Sequence, residues 1–175
     1  MDRDAATPVV TDELVLLGRL VPLAQARIVE LGCGKADLAR RLVTQYPQAS
    51  VLALEVDERQ HAKNLAQPAE RIRFVAGGAQ AIPAPDASFD LALMLKSLHH
   101  IPLDLMDRAL DEAWRVLAPG GQLYVSEPVF AGPLNEIMRV FHDEQAVRAA
   151  ACAALERAAA NPKWESVEER HFDVP

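Results

Sequence analysis

From residue 27 onward, short apolar runs alternate with longer segments whose apolar residues recur at helical spacing. Arg27-Ile28-Val29-Glu30-Leu31 is an apolar run ending on the glycine turn Gly32-Cys33-Gly34, which predicts a first strand and a tight turn. Leu38, Leu42 and Tyr46 then lie on one helix face, and Pro47 stops the helix. Val51-Leu52-Ala53-Leu54 predicts a second strand, followed by a polar helix from Glu58 to Ala66. Ile72 to Val75 predicts a third strand, and Pro83, Pro85 and Asp86 mark a surface loop. Phe89 to Leu95 is nearly all apolar, as expected of a central strand covered on both faces. A helix over Asp104–Leu117 is expected to end at Pro119-Gly120-Gly121, with a fifth strand at Leu123-Tyr124-Val125.

The ends are patterned differently. Residues 1–10 read as a loose arm. Thr11 is placed to cap a helix that carries Asp12 and Glu13 in its first turn and breaks at Pro22. After Pro133, the residues Leu134, Ile137, Met138 and Phe141 make an i, i+3, i+4, i+7 stripe that suits core packing or one wall of an apolar pocket. Alanine-rich helix follows to Asn161-Pro162, and Val167 to Val174 is a last strand candidate.

Strands alternating with helices predict a three-layer α/β fold, a mostly parallel twisted sheet with helices on both faces. The chain has 175 residues, which suits one domain over 1–175: an arm and helix (1–20), a core (26–127), and a helical cover with a final strand (128–175). Half of the residues are hydrophobic, which argues against disorder. No run of about 18 apolar residues suggests a membrane span, and the acidic start MDRDAATP does not read as a secretory signal. Two cysteines, Cys33 and Cys152, do not make a disulfide framework, so reduced thiols and a cytoplasmic location are expected. A net charge of −7 with scattered basic residues argues against nucleic acid as a partner.

In an open parallel sheet, ligands bind at the carboxyl ends of the strands, so the Gly32-Cys33-Gly34 turn is the place to look for chemistry. Its glycines suit close approach of the backbone to a ligand, although any strand-to-helix turn can use them. A dinucleotide site needs a small residue at position 37, and this chain has Asp37, which would repel a pyrophosphate. A nucleoside without pyrophosphate fits better. Glu55 lies 21 residues beyond Gly34, placed either to accept hydrogen bonds from ribose hydroxyls or to cap the next helix, a role Asp57 could take. Glu30 interrupts an apolar strand, where a charge needs partners such as a ligand ammonium or backbone N–H groups.

Five segments together carry a resemblance. Ile28-Val29-Glu30-Leu31-Gly32-Cys33-Gly34 resembles the first motif of class I S-adenosylmethionine-dependent methyltransferases, and Ala53-Leu54-Glu55 their second-strand acid motif. Ile82 to Leu91 resembles the segment before strand four, Ser97-Leu98-His99-His100-Ile101 the one after it, and Trp114 to Gly121 the one before strand five. The order is that of the family, and the similarity is greatest to its type 11 group, which includes small-molecule and quinone-precursor methyltransferases. The resemblance implies S-adenosylmethionine as cofactor and S-adenosylhomocysteine as product. It implies that Glu30 and the backbone of Gly32, Cys33 and Gly34 hold the methionyl end, that Glu55 binds the ribose, and that Val56 packs on the adenine. The carbonyl of Leu95 is implied to face the methionyl ammonium. In the stretch Ala76-Gly77-Gly78-Ala79, Gly78 stands where the family places an acid for the adenine amino group, beside a backbone N–H at Ala79; Gln80 could compensate. Ala36 replaces a usual glycine.

His99 and His100, just past strand four, are the candidate catalytic bases, His100 ahead of His99; a structural role in the loop is the alternative. Lys96 is expected to be solvated and Glu127 to face the acceptor. Metal binding is not expected, because neighbouring histidines rarely face one ion and no third ligand stands out. No Asn/Asp-Pro-Pro-aromatic or Pro-Cys motif follows strand four, which argues against DNA amino-group and cytosine-carbon methylation. The expected reaction is in-line methyl transfer to a small, partly apolar acceptor. A non-catalytic module of the same fold is the alternative, and a nicotinamide oxidoreductase a weaker one. The C-terminal strand hairpin of the family looks incomplete, leaving a sheet edge for a homodimer mate or another partner to cover.

Overall fold

The computed structural model describes residues 7–129 and 143–174. Five strands form one sheet: β1 (Arg27–Leu31), β2 (Ser50–Glu55), β3 (Ile72–Ala76), β4 (Phe89–Leu95) and β5 (Leu117–Ser126). The order is β3-β2-β1-β4-β5, and every pairing is parallel. The helices are α1 (Glu13–Leu20), α2 (Asp37–Gln45), α3 (Glu58–Leu65), α4 (Met106–Val116) and α5 (Gln145–Ala159).

Strand alternation divides the core in two. Ile28, Val51, Ala53, Leu91 and Leu93 face Leu14 and Leu17 of α1 and Ala39, Leu42 and Val43 of α2. Val29, Leu31, Leu52, Leu54, Ala92 and Met94 face the other way, onto Met106, Ala109, Leu110 and Ala113 of α4 and Ala151 and Ala154 of α5. Both faces of the central strands are therefore buried, which is why they read as unbroken apolar runs. The expected three-layer α/β methyltransferase-like architecture is present.

Three local expectations are corrected. Asp12, not Thr11, caps α1, its side chain accepting from Leu14 N at 3.0 Å. Pro119-Gly120-Gly121 does not separate helix from strand but bulges within β5, whose register jumps from Phe89↔Leu117 to Leu91↔Gln122. Gly120 has φ +78°, and a Cβ on Gly121 would lie 2.8 Å from Ala118 O and 3.2 Å from Phe89 O, so the bulge presses onto the start of β4. The Val167–Val174 strand is reduced to one bridge, Val9 to Asp173. Its polar side chains pair locally instead, Arg170 with Glu168 and His171 with Glu169, and the segment is largely exposed. Among the described residues β5 has β4 as its only strand partner. The Leu134, Ile137, Met138, Phe141 stripe and residues 1–6 of the arm lie outside the described residues. No described helix is long and apolar enough to cross a membrane.

Candidate active site

The strand order reverses between β1 and β4, and the loops after these two strands open the crevice where such sheets bind ligands. The turn after β1 is held from three sides. Gly32 N and Cys33 N both donate to Leu54 O, at 3.0 and 2.8 Å. Ser97 Oγ, from the end of β4, donates to Leu31 O at 2.7 Å. Asn64 Nδ2, from α3, donates to Gly34 O at 2.8 Å, while Gln60 Nε2 holds the Asn64 oxygen at 3.0 Å. Gly32 has φ +76°, and a Cβ there would lie 2.8 Å from Ser97 Cβ, so the turn needs glycine twice over. Nothing lies within 4 Å of a Cβ built at Gly34, whose side faces open space.

Glu55 ends β2 and is 7% exposed. Its Oε2 accepts from Gly34 N at 2.7 Å and its Oε1 from Asp57 N at 2.9 Å. The helix cap falls to Asp57, which accepts from Arg59 N and Gln60 N at 2.8 and 3.1 Å. Glu55 is thus freed from capping and fixed against the glycine turn, with lone pairs left on both oxygens.

Glu30 is 5% exposed, and its Oε2 is buried without a hydrogen-bond partner. Burial pushes its carboxyl up to about 8; the charge of Asp37 adds to the rise, Ala39 N–H opposes it, and Glu55 contributes further. A cation entering the crevice would supply the missing partner. Cys33 is buried and its thiol is pushed up to about 12, first by burial and then by Glu30 and Glu55, so it is a packed turn residue rather than a nucleophile. Ala36 takes the left-handed conformation (φ 60°, ψ 29°) with no exposed surface. A methyl group fits the space, at a conformational cost of about 1–2 kcal/mol relative to right-handed backbone.

The residues expected on the adenine side follow the ends of β2 and β3. Val56 is 67% exposed beyond the end of β2. Gly77 N donates to Glu55 O at 3.1 Å, bringing the loop after β3 beside Glu55. Ala79 is buried, and a Cβ added at Gly78 would fall on the Gln80 side-chain amide. Gln80 therefore occupies the space that a side chain at position 78 would take. Gly78 itself does not have a left-handed φ.

On the other side of the crevice, Leu95 is half-buried and Lys96 exposed, with φ +54° and its N–H donating to Ser126 O at 2.7 Å. A single 3-10 turn, Leu98–His100, follows. His99 is buried and its Nδ1 contacts Glu127 Oε2, while Glu127 Oε1 accepts from Leu98 N at 2.8 Å. His100 is exposed, its ring centroid 4.0 Å from that of His99. Glu127 thus orients His99 rather than facing outward. Glu144, just before α5, brings a carboxylate to the pair, so the two histidines do have a third potential ligand, supplied from a distant part of the chain.

Asn64 and Ser97 were not legible as site residues. Each acts through one hydrogen bond to a backbone carbonyl 30 or 66 positions away, and no local pattern encodes that. A depression of about 450 Å³, lined by Arg71, Arg73, Pro83 and Ser88 among others, lies at the amino ends of the strands, away from all of these residues.

A family model described as a methyltransferase domain matches residues 28–121. The chain belongs to the class I S-adenosylmethionine-dependent methyltransferase family, whose cofactor is S-adenosylmethionine. It is similar to the 27-O-demethylrifamycin SV methyltransferase of Amycolatopsis mediterranei, 36% identical over 131 residues that make up 71% of this chain and 46% of that protein. It is also similar to a trans-aconitate 2-methyltransferase of Methylobacterium nodulans, 34% identical over 79% of this chain and 54% of the relative. Among solved structures, a S-adenosylmethionine-dependent methyltransferase of Thermotoga maritima superposes with a TM-score of 0.62 at 26% identity, over 84% of this chain and 69% of that one. The [4+2]-cyclase SpnF superposes with a TM-score of 0.63 at 25% identity, over 84% of this chain and 55% of that one. The chain spans about half the length of the curated relatives it matches.

The residues present fit this cofactor. The orphaned Glu30 oxygen suits an ammonium, the Gly32–Gly34 turn leaves room for a ligand against its backbone, and Glu55 is anchored with accepting capacity to spare.

Proposed function

We propose that this chain transfers a methyl group from S-adenosylmethionine to a small, partly apolar acceptor. The observation that carries this reading is an anchored Glu55 together with a buried Glu30 whose Oε2 lacks a partner, both next to the Gly32–Gly34 turn. When bound, the cofactor supplies an electrophilic methyl group on a sulfonium centre. The chain's own residues would hold and orient it. Glu30, the Leu95 carbonyl and the backbone of Gly32, Cys33 and Gly34 would take the methionyl end, and Glu55 the ribose. Val56, Gly78, Ala79 and Gln80 would take the adenine. Transfer is an in-line displacement whose leaving group departs neutral, so positioning supplies most of the rate. His100, beside a His99 held by Glu127, would remove a proton where the acceptor must lose one. Small oxygenated acceptors are supported by the relatives' names, which include 27-O-demethylrifamycin SV and trans-aconitate methyltransferases.

A second reading keeps the fold and the cofactor crevice but not methyl transfer. It is favoured by one neighbour, SpnF, whose name states a cyclase. Calorimetric titration with S-adenosylmethionine and with NADH separates the cofactor classes. Saturable binding of the former, weakened roughly 10- to 100-fold in Glu55→Ala, is expected. Preference for NADH, or unchanged affinity in the variant, would overturn the cofactor assignment. Transfer of labelled methyl to 27-O-demethylrifamycin SV or trans-aconitate would support turnover; tight cofactor binding with no transfer to any oxygenated acceptor would favour the second reading.

A further inference from the structure

At the acceptor side of the crevice, the structure gathers groups that methyl transfer alone does not require. His99 and His100 are consecutive, yet their rings lie 4.0 Å apart, tilted by 45°. The tight 3-10 turn thus overcomes the usual divergence of adjacent side chains. Glu144 arrives from 44 residues downstream, and one ligand atom from each of the three residues lies within 4.8 Å of the others.

The surroundings of these side chains match those of metal ligands. His99 gives Nδ1 to Glu127, so in the neutral imidazole Nε2 carries the lone pair. Glu127 is itself fixed by Leu98 N at 2.8 Å, and its side chain is 5% exposed. A carboxylate behind a histidine sets the tautomer and raises its basicity, the usual outer shell of a metal-bound imidazole. Glu144 has a comparable support: its Oε2 accepts from Arg148 at 2.5 Å. The three residues grade from buried His99 through half-buried Glu144 to exposed His100.

We propose that His99, His100 and Glu144 bind a divalent first-row transition ion of the zinc or cobalt class. Two imidazoles and one carboxylate are a donor set suited to such ions, and three protein ligands leave coordination positions open for an oxygen-bearing ligand. Ligand atoms around one tetrahedral ion lie about 3.3–3.5 Å apart, given bonds of about 2.0–2.1 Å. The exposed His100 and half-buried Glu144 would therefore close by about 1 Å onto His99. A bound ion and a free imidazole base are mutually exclusive uses of these histidines, so the site also bears on how an acceptor would lose its proton. The metal inference does not rest on S-adenosylmethionine binding, and its failure would leave the cofactor reading untouched.

The test uses the full chain, stripped with chelator and titrated with Co²⁺ alone, without S-adenosylmethionine. A saturable one-to-one visible absorption band that Zn²⁺ displaces is expected. His100→Ala and Glu144→Gln should each weaken Co²⁺ binding by at least about tenfold, and Glu127→Gln, which removes a supporting group and no ligand, by about 10- to 100-fold. His171→Ala should change nothing, because His171 lies on the exposed C-terminal segment. Circular dichroism confirms that each variant is folded, and His100, being exposed, is the variant least able to disturb the core. Absence of saturable binding up to about 100 µM Co²⁺, an affinity far weaker than structural or catalytic sites show, would overturn the proposal. So would equal binding by wild type, His100→Ala and Glu144→Gln.

Discussion

The two ends of the sheet use polar residues in opposite ways. At the amino end, charges close on one another. Arg27 bonds both oxygens of Asp90, at 3.1 and 2.7 Å, and its backbone N–H adds a third bond at 2.8 Å. Arg115 reaches Ile82 O and Ala84 O at 3.0 Å each, Asp86 at 2.7 Å and Glu112 at 2.7 and 2.8 Å. At the carboxyl end, Glu30 keeps an orphaned oxygen, Glu55 is tied to backbone N–H groups, and burial together with the charges of Asp37 and Glu55 raises the Glu30 carboxyl. The difference teaches that a family motif need not be a ligand motif. The Pro83–Phe89 and Trp114–Gly121 segments belong to the amino end, where Arg115 staples one to the other.

Substitutions at the two ends should therefore fail in different ways. Gly32→Ala should have the largest effect, because it combines a left-handed φ with a clash against Ser97. About 2–4 kcal/mol of folding stability should be lost, and S-adenosylmethionine binding should disappear in calorimetry. A folded variant that binds normally would show that the turn can rearrange. Arg115→Ala should cost about 2–3 kcal/mol in urea denaturation, since the carbonyls of residues 82 and 84 lose a charged donor. Its cofactor affinity should stay within about twofold of wild type, because a rigid sheet separates the two ends. A drop as large as that expected for Glu55→Ala would erase the distinction.

The same contrast explains what was legible in the sequence. The strands were, because Ile28 to Leu31 and Leu91 to Met94 are buried on both faces and so carry their burial in their composition. The turn after β1 and the placement of Glu30 and Glu55 beside it were, because the strand-to-turn junction fixes residue types at set offsets. The strand expected over Val167–Val174 was misread, because alternation predicts a strand only where a sheet edge receives it. Asn64, Ser97 and Glu144 could not be read, because each meets the site from at least 30 residues away and no local pattern encodes those contacts. Arg115 stood inside a recognised segment, yet its structural role needed the loop at 82–86 placed beside it.

Glu30 offers a pH test of the open end. Its carboxyl is raised from 4.5 to about 8 in the folded protein, so between those values the native state holds a proton that the unfolded chain has lost. Stability should therefore fall as pH rises through this window, by at most about 1.4 kcal/mol per pH unit from this group, and level off above it. In Glu30→Gln that component of the slope should vanish, leaving the variant more stable than wild type at pH 8. Cofactor binding should move in the opposite direction. An ammonium beside Glu30 favours the carboxylate, so binding near pH 7 should release up to about one proton from wild type and fewer from the variant. Calorimetry in two buffers of different ionisation enthalpy reads that number. Equal proton release from both proteins would place the ammonium elsewhere.

Asn64 should give the smallest effect and the sharpest division between holding a turn and holding the fold. Its buried amide donates to Gly34 O at 2.8 Å and contacts Cys33 Sγ at 3.7 Å, joining α3 to the turn. Asn64→Leu keeps the volume and removes the donor, leaving one carbonyl unpaired at a cost of about 1 kcal/mol. Gly34 N would still be held by Glu55, so the turn should loosen on its carbonyl side alone. A several-fold rise in the dissociation constant for S-adenosylmethionine is expected, with thermal stability little changed, and Asn64→Gln should not restore it, because its longer side chain misplaces the amide. Were affinity unchanged while stability fell by several kcal/mol, Asn64 would belong with the staples of the amino end, and the carboxyl-end turn would owe its shape to Glu55, Ser97 and the Leu54 carbonyl.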